Sequence, residues 1–133
     1  MNKRLTLRVE YPPPAKDGGL SIRNLAHPHH TLVEALRKEM RKKMKGRDPF
    51  ERVPLKLTIH YKRNSSKSDA LNIINGVSDI LQKRSDAKYM HDVWVFDDDA
   101  EVRWFEYTEE DGANDEYYIT VEVISPHEPL STA

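Results

Sequence analysis

The stretch Ser68-Asp69-Ala70-Leu71-Asn72-Ile73-Ile74-Asn75-Gly76-Val77-Ser78-Asp79, followed after a connector by Val93-Trp94-Val95-Phe96-Asp97-Asp98-Asp99, decides how this chain is read. The first segment opens a helix over residues 69–82. Ala70, Ile73, Ile74, Val77, Ile80 and Leu81 fall on one of its faces, while Asp69, Asn72, Gly76 and Asp79 line up on another. Such a helix must bury its apolar stripe against something. The second segment is a short apolar run, a strand or bridge over residues 93–96, that ends in three carboxylates. Acidic groups brought together from separate elements repel one another unless a cation neutralises them, so a convergent set is a candidate Mg²⁺ site for phosphate chemistry.

Working outward from this helix, the flanking segments supply a sheet. Leu5, Leu7 and Val9 alternate with Thr6, Arg8 and Glu10, and Leu55, Leu57, Ile59 and Tyr61 alternate with Lys56, Thr58, His60 and Lys62. Both patterns predict half-buried strands. Tyr11 and three consecutive prolines end the first strand, and a loop containing Gly18-Gly19 runs to about His30. Thr31 and Glu34 form a capping box, and Leu32, Ala35, Leu36, Met40 and Met44 follow at helical spacing, with Arg37, Lys38, Arg41, Lys42 and Lys45 outward and Gly46 and Pro49 as the stop. Residues 101–108 and 116–124 predict a hairpin with Asp111-Gly112 in its turn. The expected fold is α/β in the α+β sense: a single mixed sheet with both helices packed on its apolar face, in the order β-α-β-α-β-β. The polar face, with Thr6, Arg8, Lys56, Thr58, His60 and Lys62, is a candidate surface for a partner subunit.

A chain of 133 residues with 38% hydrophobic content supports one core, so residues 1–124 read as a single domain and residues 125–133, with two prolines, as a loose tail. There is no cysteine, which excludes disulfides and thiolate zinc sites. Neither a signal peptide nor a membrane span is expected, and the cytoplasm is the expected compartment. The net charge of -1 conceals an asymmetry: residues 1–90 hold 20 of 21 Lys and Arg and 9 of 22 Asp and Glu, whereas residues 91–133 hold 1 and 13. The two blocks either place a basic surface beside an acidic pocket, as a metal-dependent nuclease requires, or neutralise each other in the fold or across a dimer.

The segment from Asp69 to Asn75, the later Asp79, and Asp98-Asp99-Ala100-Glu101-Val102 resemble the RusA-type Holliday-junction resolvases, which carry Asp-x-Asp-Asn-x-x-Lys, then Asp, then Asp-Asp-x-x-Val. The strand ending in prolines and the basic helix after it extend the resemblance over residues 3–124. The resemblance implies a RusA-like fold and a homodimer that nicks opposite strands of four-way-junction DNA with Mg²⁺, or Mn²⁺ in its place. By position it implies Asp69 and Asp99 as metal-site aspartates, Asp98 as the acidic residue beside them, and Asp79 as the helical member of the catalytic set. Leu71 stands where the family has its second metal aspartate, and Asn75 where it has its lysine. Lys62, Arg63 and Lys67, before the acidic helix, are the expected DNA contacts. Two alternatives remain: a branched-DNA-binding module that has lost cleavage, and a protein-interaction domain using the acidic C-terminal third. The cluster His27-Pro28-His29-His30 reads as a loop cluster rather than a metal site, and Trp94, Trp104 and Phe105 as core aromatics rather than base-stacking groups.

Overall fold

Alternation of apolar and polar residues builds the sheet. The computed structural model describes residues 3–16, 27–83 and 92–124; the loop around Gly18 and Gly19, most of the connector after the acidic helix and the tail from residue 125 lie outside them. Strand β1 (Arg4–Val9) leads to helix α1 (His30–Met44), strand β2 (Leu55–Arg63) to helix α2 (Ala70–Leu81), and a single 3₁₀ turn (Asp99–Glu101) to strands β3 (Val102–Asp111) and β4 (Glu116–Val123). This is the expected element order. Leu5, Leu7 and Val9 of β1, Leu55, Leu57, Ile59 and Tyr61 of β2, and Tyr117, Ile119 and Val121 of β4 share one face and are buried. They form one core with Val33, Leu36 and Met40 of α1 and Ile73, Val77, Ile80 and Leu81 of α2, so both helices cover the same side. Residues 93–96 contribute bridges rather than a strand, Phe96 pairing with Phe50 and with Gln82.

The expected hairpin is not formed. The sheet order is β1-β4-β2-β3, with β4 antiparallel to β1 and to β2, and β3 parallel to β2. Strand β2 therefore lies between the two strands that the sequence suggested would pair. Their connection crosses the C-terminal end of β2, where the Gly112 N–H donates to the Arg63 carbonyl (3.0 Å). Asp115 fixes the crossing by accepting from the Tyr61 hydroxyl, the Ser65 hydroxyl and the backbone N–H groups of Asn64 (2.8 Å) and Ser65. Burial alone would raise the Asp115 carboxyl, but these donors hold it down at about 2.

Helix α1 is phased differently from the expectation. Its buried residues are Val33, Leu36, Arg37, Met40 and Met44, with Leu32 and Ala35 at the margin. Arg37, expected outward, is only 3% exposed; Nη1 donates to Glu34 Oε1 (2.9 Å), while Nε and Nη2 have no partner among the described residues. The capping box is also absent. His29 is the N-cap and its side chain makes no capping bond to the helix, Thr31 sits inside the first turn, and Glu34 serves Arg37 instead. Gly46 follows the helix with φ +75, a conformation glycine adopts without strain.

The aromatics were not all core. Trp104 lies on the open face of the sheet with Lys56 Nζ 4.0 Å from its ring centroid, and Phe105 is exposed near the β3 edge. Among the described residues, no helix is long and apolar enough to cross a membrane.

Candidate functional site

Asp69 opens α2 as its N-cap because a short carboxylate there satisfies N–H groups that have no partner in the first turn. Its Oδ1 accepts from the Asn72 N–H (2.9 Å) and its Oδ2 from the Asn72 amide (3.3 Å). Asp79 lies near the other end of the helix, ten residues on, which is about 15 Å along the axis. It is 7% exposed, and Gln82 Nε2 donates to its Oδ1 (3.2 Å). The same Gln82 accepts the Asp99 backbone N–H on Oε1 (3.1 Å), so one side chain ties Asp99 to Asp79. Asp98 caps the 3₁₀ turn through the Ala100 N–H (2.9 Å).

Electrostatics show that this end of α2 is where carboxylates meet. Partial burial raises the Asp99 carboxyl; a hydrogen bond shared with the Asp98 side chain and the charges of Asp98 and Asp79 raise it further, against the pull of Lys16. The neighbouring negative charge of Asp98 thus disfavours the ionised form of Asp99. Glu101 is also raised, by burial and by Asp97 and Asp98, with the Arg52 and Val53 N–H groups opposing; Asp97 Oδ1 and Glu101 Oε2 are buried without a partner among the described residues. Gln82 thus links the Asp79 carboxylate to the Asp99 backbone, with Asp98 next in the chain, and Asp69 stays at the far end of the helix. Among the described residues, no three acidic or histidine side chains already converge as a metal-holding group.

Lys16 and Gln82 belong to this site and were missed in the sequence. The Lys16 N–H donates to the Asn72 carbonyl (3.0 Å), laying residues 14–16 along the polar stripe of α2. Gly76 makes that approach feasible: a Cβ there would stand 2.5 Å from the Pro14 carbonyl oxygen and 2.8 Å from Ala15 Cα. A glycine inside an otherwise strong helix, aligned with two polar residues, was the available signal. Leu71 is 71% exposed and Asn75 is exposed, one and two turns before Asp79 on the same stripe in reverse order.

The expected DNA contacts separate. Arg63 is held by Glu109 through Nε (2.6 Å) and Nη2 (3.0 Å) and by the Ser66 carbonyl through Nη1 (2.7 Å). Lys62 lies on the open sheet face, 3.5 Å from Glu116. Lys67 is exposed and, with Asp69, Ser66, Ser68, His29, Leu32 and Pro12, lines a cleft of about 470 Å³ at the start of α2. The histidine cluster is used locally: the Ala15 N–H donates to His29 Nδ1 (3.0 Å) and the His29 N–H to His27 Nδ1 (3.0 Å).

No protein-family model matches the chain, and no curated protein matches it.

Proposed function

We propose that this chain is a Mg²⁺-dependent endodeoxyribonuclease of the RusA type, acting on branched or four-way-junction DNA as a homodimer. The observation that supports the reading is the link that Gln82 makes between the Asp79 carboxylate and the Asp99 backbone, with the charges of Asp98 and Asp79 raising the Asp99 carboxyl and that of Lys16 opposing them. Oxygen-only donors that repel one another fit a hard divalent cation, Mg²⁺ or Mn²⁺. Asp99 and Asp98 would hold it, with Asp79 as the inner carboxylate. Such a cation supplies charge neutralisation of the scissile phosphate and activation of water. Gln82 orients the Asp79 carboxylate and holds the Asp99 backbone, the role that outer partners of metal ligands play. Lys16 would hold a phosphate oxygen in place of the family's lysine, a role that its charge beside Asp99 supports.

A reading with weakened cleavage is favoured by one further observation: Asp69 is spent on capping α2, and Leu71 and Asn75 leave the middle of the stripe without charge. The expected behaviour is binding of branched DNA with slow nicking. Exposed Leu71 contributes no core packing, so the double variant Leu71→Asp with Asn75→Lys should fold and should raise Mg²⁺-dependent nicking of a synthetic four-way junction by roughly tenfold or more. A double variant that binds the junction but does not cut makes the chain a binding module. A wild type that binds neither junction nor divalent cation removes the reading.

A further inference from the structure

The sheet has two edge strands, β1 and β3, and β1 offers both a free backbone ladder and a wall beside it. The Val123 N–H donates to the Lys3 carbonyl (2.9 Å), so Lys3 and Val123 form a hydrogen-bonded pair. Alternation along the register then turns the backbone groups of Leu5, Leu7 and Val9 toward β4 and those of Arg4, Thr6 and Arg8 toward the edge. In keeping with this, the Arg4 carbonyl accepts from Arg47 Nη2 (3.1 Å). Among the described residues, nothing pairs with the N–H and C=O groups of Thr6 and Arg8. Such a row is a template for one more extended segment.

Helix α1 supplies the wall. Thr31, Ala35, Lys38 and Lys42 recur at helical spacing along one side of it and line, with the end of β1 and Tyr11, a groove of about 590 Å³. The charges select what can lie there. Each carboxylate of the groove is engaged by a neighbour: Glu34 by Arg37 (2.9 Å), Glu39 by Lys42 (3.5 Å) and Glu10 by Arg8 (3.0 Å). Lys38 on the helix and Arg4 on the strand are exposed, and neither has an ion-pair partner among the described residues. On the open sheet face the sign alternates from strand to strand, with Arg4 and Arg8 on β1, Glu116 and Glu122 on β4, Lys56 and Lys62 on β2, and Glu106 and Glu110 on β3. The next strand outside β1 in that series is acidic. At the other edge, Glu106, Glu109 and Glu110 of β3 are already engaged by Lys56 (4.0 Å), Arg63 (2.6 Å) and His60 (2.8 Å), so a ligand gains less there.

We propose that the edge of β1 and the groove beside α1 bind an extended acidic segment of a partner protein, which joins the four-stranded sheet outside β1. One alternate set of its side chains lies on the open face beside Arg4 and Arg8, and the other enters the groove beside Ala35 and Lys38. The Thr6 and Arg8 backbone groups fix its register. A polynucleotide has the charge but no alternating N–H and C=O groups to fill this row. Asp79, Asp98 and Asp99 do not line the groove, so this binding is separable from any nicking of DNA.

The probe is the labelled peptide acetyl-Glu-Val-Glu-Val-Glu-Val-Glu-Val-amide, titrated by fluorescence anisotropy, with thermal melting of each variant to show that it is folded. The wild type should bind it one to one and should not bind the same peptide with Lys in place of Glu. Because alternate N–H groups of a strand point to opposite edges, N-methylation of all the Glu residues and of all the Val residues should differ: one peptide keeps its affinity and the other loses roughly tenfold or more. Thr6→Pro removes an edge N–H without touching the β4 ladder and should weaken binding by a similar factor. Arg4→Glu with Lys38→Glu should reject the acidic peptide and accept the lysine one, a reversal that misfolding cannot produce. No binding by the wild type, equal binding of the two N-methylated peptides, or full affinity in a folded Thr6→Pro chain overturns the proposal. An oligonucleotide that binds this row when the peptide does not makes it a polyanion surface, and self-association that Thr6→Pro abolishes makes the occupant a second copy; either result overturns it too.

Discussion

Replacing Gly76 with alanine sets two physical effects against each other, and the structure decides the sign. In an ordinary exposed helix interior the change stabilises by about 1 kcal/mol, because alanine loses less backbone entropy on folding. At position 76 the new methyl would meet the Pro14 carbonyl oxygen at 2.5 Å, Ala15 Cα at 2.8 Å and the Pro14 carbonyl carbon at 3.0 Å. All three are backbone atoms, so no side chain can rotate away. Overpacking of this kind costs about 1–3 kcal/mol, here toward the upper end. Moving residues 14–16 off the helix also loses the Lys16 to Asn72 bond, about 1 kcal/mol. The net expectation is a loss of about 2–3 kcal/mol and, for a domain of this size, a Tm lower by roughly 10 °C or more. Circular dichroism melting tests it, with Asn75→Ala as the control: that exposed neighbour gains the helix propensity without the clash and should melt within a few degrees of wild type. A Gly76→Ala chain that melts at or above wild type would refute the close approach and, with it, the placement of Lys16 at the acidic site.

Two further predictions use proton linkage. Asp99 is raised in the native state, so the folded chain holds the extra proton and stability falls as pH rises through the window above the ordinary carboxylate value. Asp99→Asn should therefore raise Tm at pH 7.5 and lose that advantage in acid, below about pH 3.5; Mg²⁺ should raise Tm of the wild type more than that of the variant, and equal shifts would count against a cation at Asp99. Asp115 has the opposite sign: held at about 2, it contributes stability that is complete above its unfolded value and is lost as pH falls toward 2. Asp115→Ala leaves the Tyr61 hydroxyl and two backbone N–H groups without their acceptor, a cost of about 2–3 kcal/mol at pH 7. Urea unfolding should show that cost shrinking at pH 2.5, and a cost independent of pH would remove the crossover role assigned to its charge.

Much of the fold was legible because period-two and period-3.6 patterns report burial directly. Strands β1 and β2 and helix α2 match their alternation or stripe, since each buries one face against the same core. Arg37 was not legible, because a long side chain can bury its stem and keep one partner, Glu34, within its own helix. The acidic site was half legible. Asp98 and Asp79 act on Asp99 through their charge, but Asp69, expected beside Asp98 and Asp99, satisfies the α2 N-terminus, a role open to any aspartate before a helix. Gln82 and Lys16 carry no motif, and only the folded chain brings them to the carboxylates.

The hairpin expectation failed for a reason the charge pattern contained. Strands β3 and β4 both come from the acidic block of the chain, and paired as neighbours they would set Glu106, Glu109 and Glu110 beside Glu116 and Glu122. Like charges directly opposite destabilise a strand pair, whereas each opposite pair contributes about 0.2–1 kcal/mol. Inserting β2, which comes from the basic block, converts repulsion on both sides into attraction: Lys56 meets Glu106, His60 meets Glu110, Arg63 meets Glu109 and Lys62 meets Glu116. Strand β1, also basic, then closes the far side of β4 through Arg8 and Glu116. The short turn at Asp111-Gly112 tolerates this because Gly112 can lie against Lys62 while it crosses the end of β2. The charge asymmetry along the chain is thus neutralised strand by strand in the sheet.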